Sequence, residues 1–552
     1  RSVEASGHSE AYIGVLDDEP MSYWELYRAD LDPVARHYDA HPHDGGIHLL
    51  LGPESARGRG LGAKLIRAAA DHLLNSDPRT TRVIAEPDVR NHRSIRAFER
   101  AGFVRSGDLD LPDKRAALMV LPRTFDLVGV GIGPFNLALA ALADGVSGLS
   151  TRFYEQKPQW SWHPGLLFDD ARLQVPFLAD LVTLVDPTSP WSFLSYLREH
   201  GRLFPFYFSE RFHVPRREYD HYCAWVSGRL PSCRFDSSVT DIRWDGDAFV
   251  VTSTQETVRA RNVVLGVGTE LYVPEQFRRH LGTQAFSAAD YLDCKEKLTA
   301  ARDITVIGSG QTGAEVFLDL LRSQPDHGAR IRWLTRSPAF APMEYSKLGL
   351  EHFTPDYARY FHALPEATRD RLLPSQWQLY KAISAETIAQ IYDLLYERGV
   401  GGGRPDVELM PDVAVEDARG DSETLELHCR HRTQERDFVV STEAVVLATG
   451  LRPRRPRCLD GLAGLIRLDE QGRFRVGSDY RVRLAPEVDG HLYVQNAELH
   501  THGVGAPDLG LGAHRAAVII NDVLGHTAYP LPARTSFTTF GLENRSVPTH
   551  AG

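Results

Sequence analysis

The chain has 552 residues, a formal net charge of −11 and five cysteines, none of them in a C-x-x-C pair. Such a length holds about three domains; the acidic balance argues against a nucleic-acid-binding surface, and the cysteine spacing against a zinc knuckle or dithiol redox centre. Scattered thiols suit a reducing cytosol; the sequence starts with Arg1 and not Met, which reads as a fragment, and shows no signal-peptide pattern; the most apolar stretch, 125–143, is interrupted by glycines and is not a membrane span.

Residues 11–29 read as a hairpin turning at Asp17-Asp18-Glu19-Pro20. A strand follows at 46–51, then Arg57-x-x-Gly60-x-Gly62, then a helix over 63–74. A further strand at 82–88 leads to a helix over 91–100 that stops at Gly102, and strands at 103–110 and 116–121 complete the unit. A glycine turn between strand and helix offers backbone N–H groups to a pyrophosphate. With Asn91 and Ala101-Gly102-Phe103, this unit resembles the GNAT acyltransferases. The segments 42–48 and 86–91 look like that family's siderophore-biosynthesis branch, which acylates hydroxylamines. The resemblance implies acyl-CoA (acetyl-CoA or succinyl-CoA) held by Arg57, Gly60, Gly62 and Asn91, with His48 and Asp88 near the acyl carbonyl. An imidazole and a carboxylate can share a proton there; a satisfied strand histidine and a helix-capping aspartate are the plainer alternatives. The family fold starts with a strand and two helices that this sequence lacks ahead of its hairpin, so a docking or oligomerisation module is the second reading.

Next comes Phe125–Val130, the turn Gly131-Ile132-Gly133-Pro134, and an apolar run to Ala143. A matching unit runs through Ile304–Ile307, Gly308-Ser309-Gly310-Gln311-Thr312-Gly313 and the helix 314–321. Two strand–glycine–helix units point to a protein that holds two dinucleotides. After the first, counted from Gly129, a strand ends in Glu155, a carboxylate suited to an adenosine ribose, as FAD or NAD requires. After the second, a strand ends in Arg336, a cation suited to the 2′-phosphate of NADPH. Solvated strand ends are the alternative for both. Pro134 stands where a third glycine is usual, at the least demanding of the three positions.

From Phe125 to about Asp522 the chain resembles the N-hydroxylating flavoprotein monooxygenases, the lysine/ornithine/diamine N-hydroxylase family. The motifs that carry this are 129–136, Trp162-His163-Pro164-Gly165, 174–182, 308–315, Ala448-Thr449-Gly450 and His500-Thr501-His502-Gly503. The resemblance implies an α/β fold with FAD- and NADPH-binding Rossmann-like domains, the NADPH domain inserted in the FAD domain. Its limits are 124–299, 300–442 and 443–528, behind an acyltransferase-like part at 1–123 and ahead of a tail at 529–552. The strand at 444–450 is expected to return to the flavin domain, and 492–497 to supply it with another strand. In the family, reduced FAD and O2 give a C4a-hydroperoxyflavin whose distal oxygen goes to an unprotonated amine. Gln174, Trp162, His163, Thr449 and Gly450 are implied beside the nucleotides, and His502 near the substrate. His163, His500 and His502 lack acidic or cysteine partners at ligand spacing, so no metal is expected.

Ornithine-type relatives place a lysine five residues after that glutamine to meet the substrate carboxylate; here it is Ala179. Two asparagines of those relatives are matched by Leu350 and Leu379. An apolar lining there would cost a carboxylate its charge-assisted partners, and a diamine such as cadaverine or putrescine fits instead. Its far ammonium wants an acid, with Glu344, Glu351 and Asp356 as candidates. A lysine or ornithine hydroxylase is the alternative, and an S-oxygenating or Baeyer–Villiger flavoenzyme a more distant one. The resemblance also implies a soluble homo-oligomer, a tetramer or dimer.

Overall fold

The computed structural model describes residues 7–16, 18–51, 61–77, 79–421 and 423–542. The chain divides into two compact units, 1–126 with 241–261 and 127–240 with 262–552.

In the first unit, β1 (Ser9–Leu16) and β2 (Glu19–Arg28) form the anticipated hairpin. β3 (Gly45–Leu51), α1 (Leu61–Ser76), β4 (Arg82–Ala85), α2 (His92–Arg100), β5 (Val104–Asp110) and β6 (Arg115–Pro122) follow. The six strands make one sheet in the order β1-β2-β3-β4-β6-β5, with β3 and β4 parallel and the other pairs antiparallel. α1 and α2 bury an apolar stripe, Ile66, Ala70 and Leu74 with Ile95 and Phe98, against Ile47, Val83 and Met119. Asn91 caps α2 by accepting the Ser94 N–H at 3.1 Å, which supplies one of the acceptors a helix start lacks.

The second unit holds two large sheets and smaller antiparallel ones. β7 (Thr124–Val130) turns into α3 (Pro134–Asp144) and then into β8 (Thr151–Tyr154), which pairs in parallel with β7 and with β9 (Cys233–Arg234). α3 is apolar all round and buried throughout its middle, as a core helix must be. Pro134 sits at its first position, where a missing N–H costs nothing. β10 (Phe249–Ser253), in the first unit, pairs antiparallel with β11 (Thr257–Leu265), whose residues from Asn262 on belong to the second unit, and β11 neighbours β7 in the sheet order.

The second sheet is wholly parallel, in the order β12 (Ala285–Ser287), β19 (Ala444–Leu447), β13 (Asp303–Ile307), β14 (Arg330–Leu334) and β15 (Val407–Met410). α4 (Gln311–His327) follows β13. Its strands are nearly continuous apolar runs, the pattern of a sheet covered on both faces. An antiparallel sheet of β16 (Val413–Gly420), β17 (Leu425–His431) and β18 (Arg436–Thr442) precedes β19.

Two expectations are corrected here. The strand at 444–447 does not rejoin the first sheet; it lies between β12 and β13, and β20 (His491–Val494) makes the return by pairing in parallel with β11. A doubly buried strand carries no face pattern to announce its neighbours. Nor is the segment after Tyr529 a loose tail as far as residue 542. Thr535 and Ser536 donate backbone N–H groups to Asp356, Phe537 and Thr538 to Glu351, and Phe540 packs on Tyr357 and Tyr360 of α5 (Pro355–Ala363).

Candidate functional site

The first glycine turn is shaped from several directions. Gly131 has φ +86°, and a Cβ there would lie 2.5 Å from the Gly266 carbonyl oxygen. Asn136, at the start of α3 and fully buried, donates to the carbonyls of Val130 and Gly131 at 3.2 and 2.8 Å and accepts from Gln495 Nε2 at 2.7 Å. A Cβ on Gly129 would meet the Phe153 ring. Gly133 is the N-cap of α3 and has no side chain to satisfy the helix N–H groups, which leaves them for an anion. Glu155 extends β8 to this turn, where its carboxylate accepts the Ile132 N–H at 2.9 Å. The turn, the helix start and the acid are thus together, as a ribose and pyrophosphate require.

The second turn is built alike. Gly308 has φ +118° and a Cβ there would fall 2.1 Å from the Ala448 carbonyl oxygen; one on Gly313 would fall 2.2 Å from the Gly308 oxygen. Gly310 caps α4 without a side chain, with Gln311 and Thr312 in its first turn. Ser309 Oγ is 2.7 Å from Thr335 Oγ1, and Trp333 Nε1 donates to the Gly308 carbonyl at 2.8 Å. Arg336 is exposed just past β14. Two cations that no motif announced stand by it: Arg432 donates to its carbonyl at 3.1 Å, and Lys381 has its pKa lowered first by burial and then by the Arg336 charge. Thr449 donates to the Tyr272 carbonyl, and the Tyr272 N–H returns to Gly450, whose φ is +93°.

A cleft of about 310 Å³ opens beside the start of α4, lined by Gln174, His213, Gln311, Glu315, Tyr345 and Thr387 among others. Gln174 places its amide nitrogen in the interior without a hydrogen-bond partner, a donor left for a ligand. Glu315 of the cleft lining forms an ion pair with Arg216 at 3.1 Å, and Arg216 stacks 5.6 Å over Trp162. His163 takes a left-handed backbone, φ +48°, beside Trp162. Burial first, then Arg216 and Lys157, lowers its pKa to about 4, so it is neutral at physiological pH. Among the described residues, no group of three His, Cys, Asp or Glu side chains is placed to hold a metal. No helix there is long and apolar enough to cross a membrane.

The substrate candidates separate. Ala179 is buried next to the segment 508–510: a Cβ on Gly510 would lie 3.9 Å from Ala179 Cβ and 2.8 Å from Asp508 Oδ1. Asp508 is half-buried and makes no ion pair among the described residues. Its removal from water raises the pKa to about 6, although Oδ1 accepts the Gly510 N–H at 2.7 Å. Its charge acts on Tyr345, whose hydroxyl donates to the Gln174 carbonyl at 3.3 Å. Sequence reasoning missed Asp508 because nothing local marks it. Leu379 instead packs with Tyr357, Phe361 and Val504, and Leu350 is exposed. Glu351 and Asp356 spend their oxygens on the backbone of 535–538, and Glu344 accepts the Ser346 N–H at 2.6 Å. His502 is buried, stacked 4.4 Å from Tyr480, and burial takes its pKa well below the ordinary value.

In the first unit, Arg57 and Gly60 lie outside the described residues, and Gly62 is in the first turn of α1. His48 is not brought onto Asp88. Asp88 turns its carboxylate to the Arg90 N–H and guanidinium, which hold its pKa low. His48 meets Glu86 and Glu25 instead.

Comparison with known proteins agrees with this geometry. Residues 123–453 match the family model for L-lysine 6-monooxygenase/L-ornithine 5-monooxygenase, and residues 1–111 that for the GNAT acetyltransferase domain. The chain is similar to the rhizobactin siderophore biosynthesis protein RhbE of Rhizobium meliloti, 46% identical over 76% of this chain and 95% of that protein. It is also similar to a putrescine N-hydroxylase of Shewanella oneidensis, 41% identical over 75% and 84%. The FAD-bound structure of DfoA, a desferrioxamine-pathway cadaverine monooxygenase from Erwinia amylovora, superimposes with TM-score 0.74 at 38% identity, covering 77% of this chain and all of that one. With paired glycine turns, the Glu155 and Arg336 strand ends and this match, the chain belongs to the L-lysine 6-monooxygenase/L-ornithine 5-monooxygenase family and carries a GNAT-type domain ahead of it.

Proposed function

We propose that this chain N-hydroxylates a primary diamine, cadaverine or putrescine, with FAD, NADPH and O2, and that its N-terminal domain acylates the product from acyl-CoA to a hydroxamate for siderophore assembly. The observation that carries the substrate class is Asp508 beside Ala179. The position where a carboxylate-binding lysine would stand is a methyl group, and Asp508, across Gly510 from it, makes no ion pair among the described residues, although the Arg515 charge acts on it. A diamine supplies the missing cation; an amino acid would set its own carboxylate against Asp508. The putrescine and cadaverine enzymes among the relatives support this reading.

Gly131, Gly133, Pro134 and Glu155 fit the pyrophosphate and ribose of FAD, which when bound activates O2 for oxygen transfer to an amine. Gln174 offers its free amide N–H to a ligand in the cleft, and the buried, neutral His163 packs beside Trp162. Gly308 to Gly313 fit the NADPH pyrophosphate, and Arg336, Lys381 and Arg432 its 2′-phosphate. Arg336→Ala is expected to raise the KM for NADPH about tenfold while leaving that for NADH nearly unchanged; equal effects on both coenzymes would remove Arg336 from the phosphate site. Fusion of the two activities raises the local concentration of the hydroxylated intermediate. A cytoplasmic homo-oligomer, tetramer or dimer, completes the reading and is checked by light scattering.

The test is product analysis by mass spectrometry with cadaverine, putrescine, lysine and ornithine. Hydroxylated diamine with little amino-acid product is the expected result, and predominant hydroxylysine-type or hydroxyornithine product would sink the diamine reading. Ala179→Lys should lower diamine kcat/KM about tenfold or more, since it places an ammonium where the substrate's own would sit. Unchanged diamine turnover in that variant would show that Ala179 does not border the substrate.

A further inference from the structure

In the N-terminal sheet the parallel strands β3 and β4 pair only at Gly45 with Val83 and Gly46 with Ile84. Beyond that point side chains bridge the two. His48 Nε2 contacts Glu86 Oε1, and His48 Nδ1 lies 3.2 Å from Glu25 Oε2 on β2. Glu86 is only 6% exposed; its other oxygen accepts the Tyr27 hydroxyl at 3.1 Å, and Lys114 Nζ is 3.8 Å from Oε1. The Tyr27 ring lies 4.7 Å from the imidazole, and Ser9 donates to Glu25 at 2.8 Å. The groups facing His48 are therefore Glu25 and Tyr27 from β2, Glu86 from the end of β4, and Lys114, before β6, through Glu86. A carboxylate at that depth needs a charged partner, and His48 is the one it contacts most closely.

We propose that Glu86 is the positioning residue of the acyl-transfer site: it fixes the ring of His48 and keeps it cationic, so that His48 enters acyl transfer as an imidazolium and not as a free base. This rests on the reading of the N-terminal domain as an acyltransferase. With a carboxylate on each ring nitrogen, both nitrogens are donors and neither lone pair can take a proton. A hydroxylamine needs no such base, because its weakly basic nitrogen is uncharged at neutral pH. Its nitrogen bonds to the thioester carbon, the C–S electron pair leaves with sulfur, the thiolate takes up a proton, and the proton lost from nitrogen goes to water. The fixed imidazolium stabilises the negative charge that develops on the carbonyl oxygen meanwhile. Burial works against the cation, but Glu86 and then Glu25 outweigh it and hold His48 up to about 9.

The experiment titrates His48 in the full-length protein by NMR of ¹⁵N-labelled histidines, assigned with His48→Gln. In parallel, acetyl transfer from acetyl-CoA to N-hydroxycadaverine is followed against pH. Wild type should titrate near 9; Glu86→Gln should lower that midpoint by about one pH unit or more, and Glu25→Gln by less. The basic limb of kcat/KM should move with it, the acidic limb, set by the hydroxylamine, should stay, and Glu86→Asp should restore part of the shift. An unmoved His48 in a Glu86→Gln protein that melts normally overturns the assignment of Glu86. A shifted His48 with no acyl transfer by wild type overturns the acyltransferase reading, and with it the catalytic role, while the pairing stands.

Discussion

Asp508→Asn is expected to lower kcat/KM for cadaverine or putrescine about 10–100-fold, mostly through KM, and to leave NADPH-driven flavin reduction intact. The magnitude follows from the loss of one charge-assisted contact to a partly desolvated ammonium, about 1.5–3 kcal/mol. The pH dependence gives a second signature. Because removal from water raises Asp508 to about 6, the side chain is neutral below that pH and cannot pair with an ammonium. Diamine affinity should therefore strengthen as the pH rises from 5 to 7 in wild type and stay flat in Asp508→Asn. Stability runs the other way. The folded pKa lies above the unfolded value of about 4, so the contribution of Asp508 is fully present below pH ~4 and is lost as the pH rises through about 6. Added diamine should restore it, so the rise in Tm on adding cadaverine should be larger at pH 7 than at pH 5. A wild-type-like KM in Asp508→Asn would place the far ammonium elsewhere.

Gly131→Ala is expected to yield protein without bound flavin, its FAD affinity reduced at least about 100-fold. The residue holds φ +86°, and a Cβ would press to 2.5 Å from the Gly266 carbonyl, a rigid backbone atom. An alanine there carries about 1–2 kcal/mol of conformational strain and must also push the turn away from Gly266, which displaces the N–H groups aimed at the pyrophosphate. Gly308→Ala is the matched control. Its Cβ would fall 2.1 Å from the Ala448 oxygen, so it should retain FAD and lose NADPH-dependent reduction. Flavin absorbance of the purified proteins and stopped-flow reduction separate the two; FAD at full occupancy and normal affinity in Gly131→Ala would refute the steric account.

What the sequence by itself determined was local. A strand, a turn that demands positive φ and a helix beginning without a side-chain cap are specified within a dozen residues, so both nucleotide units and the strand-end Glu155 and Arg336 were legible. The hairpin, helices and Asn91 cap of the N-terminal sheet were legible for the same reason. The tertiary structure decided whatever depends on partners far along the chain. β19 is buried on both faces, so no alternation told which sheet it joins. Glu351 and Asp356 looked free for an ammonium until residues 535–538 took up their oxygens. The loop after His502 brings Gly510, and with it Asp508, up to Ala179, and His48 finds Glu86 rather than Asp88 because side chains on opposite sides of a strand gap meet by geometry, not by motif.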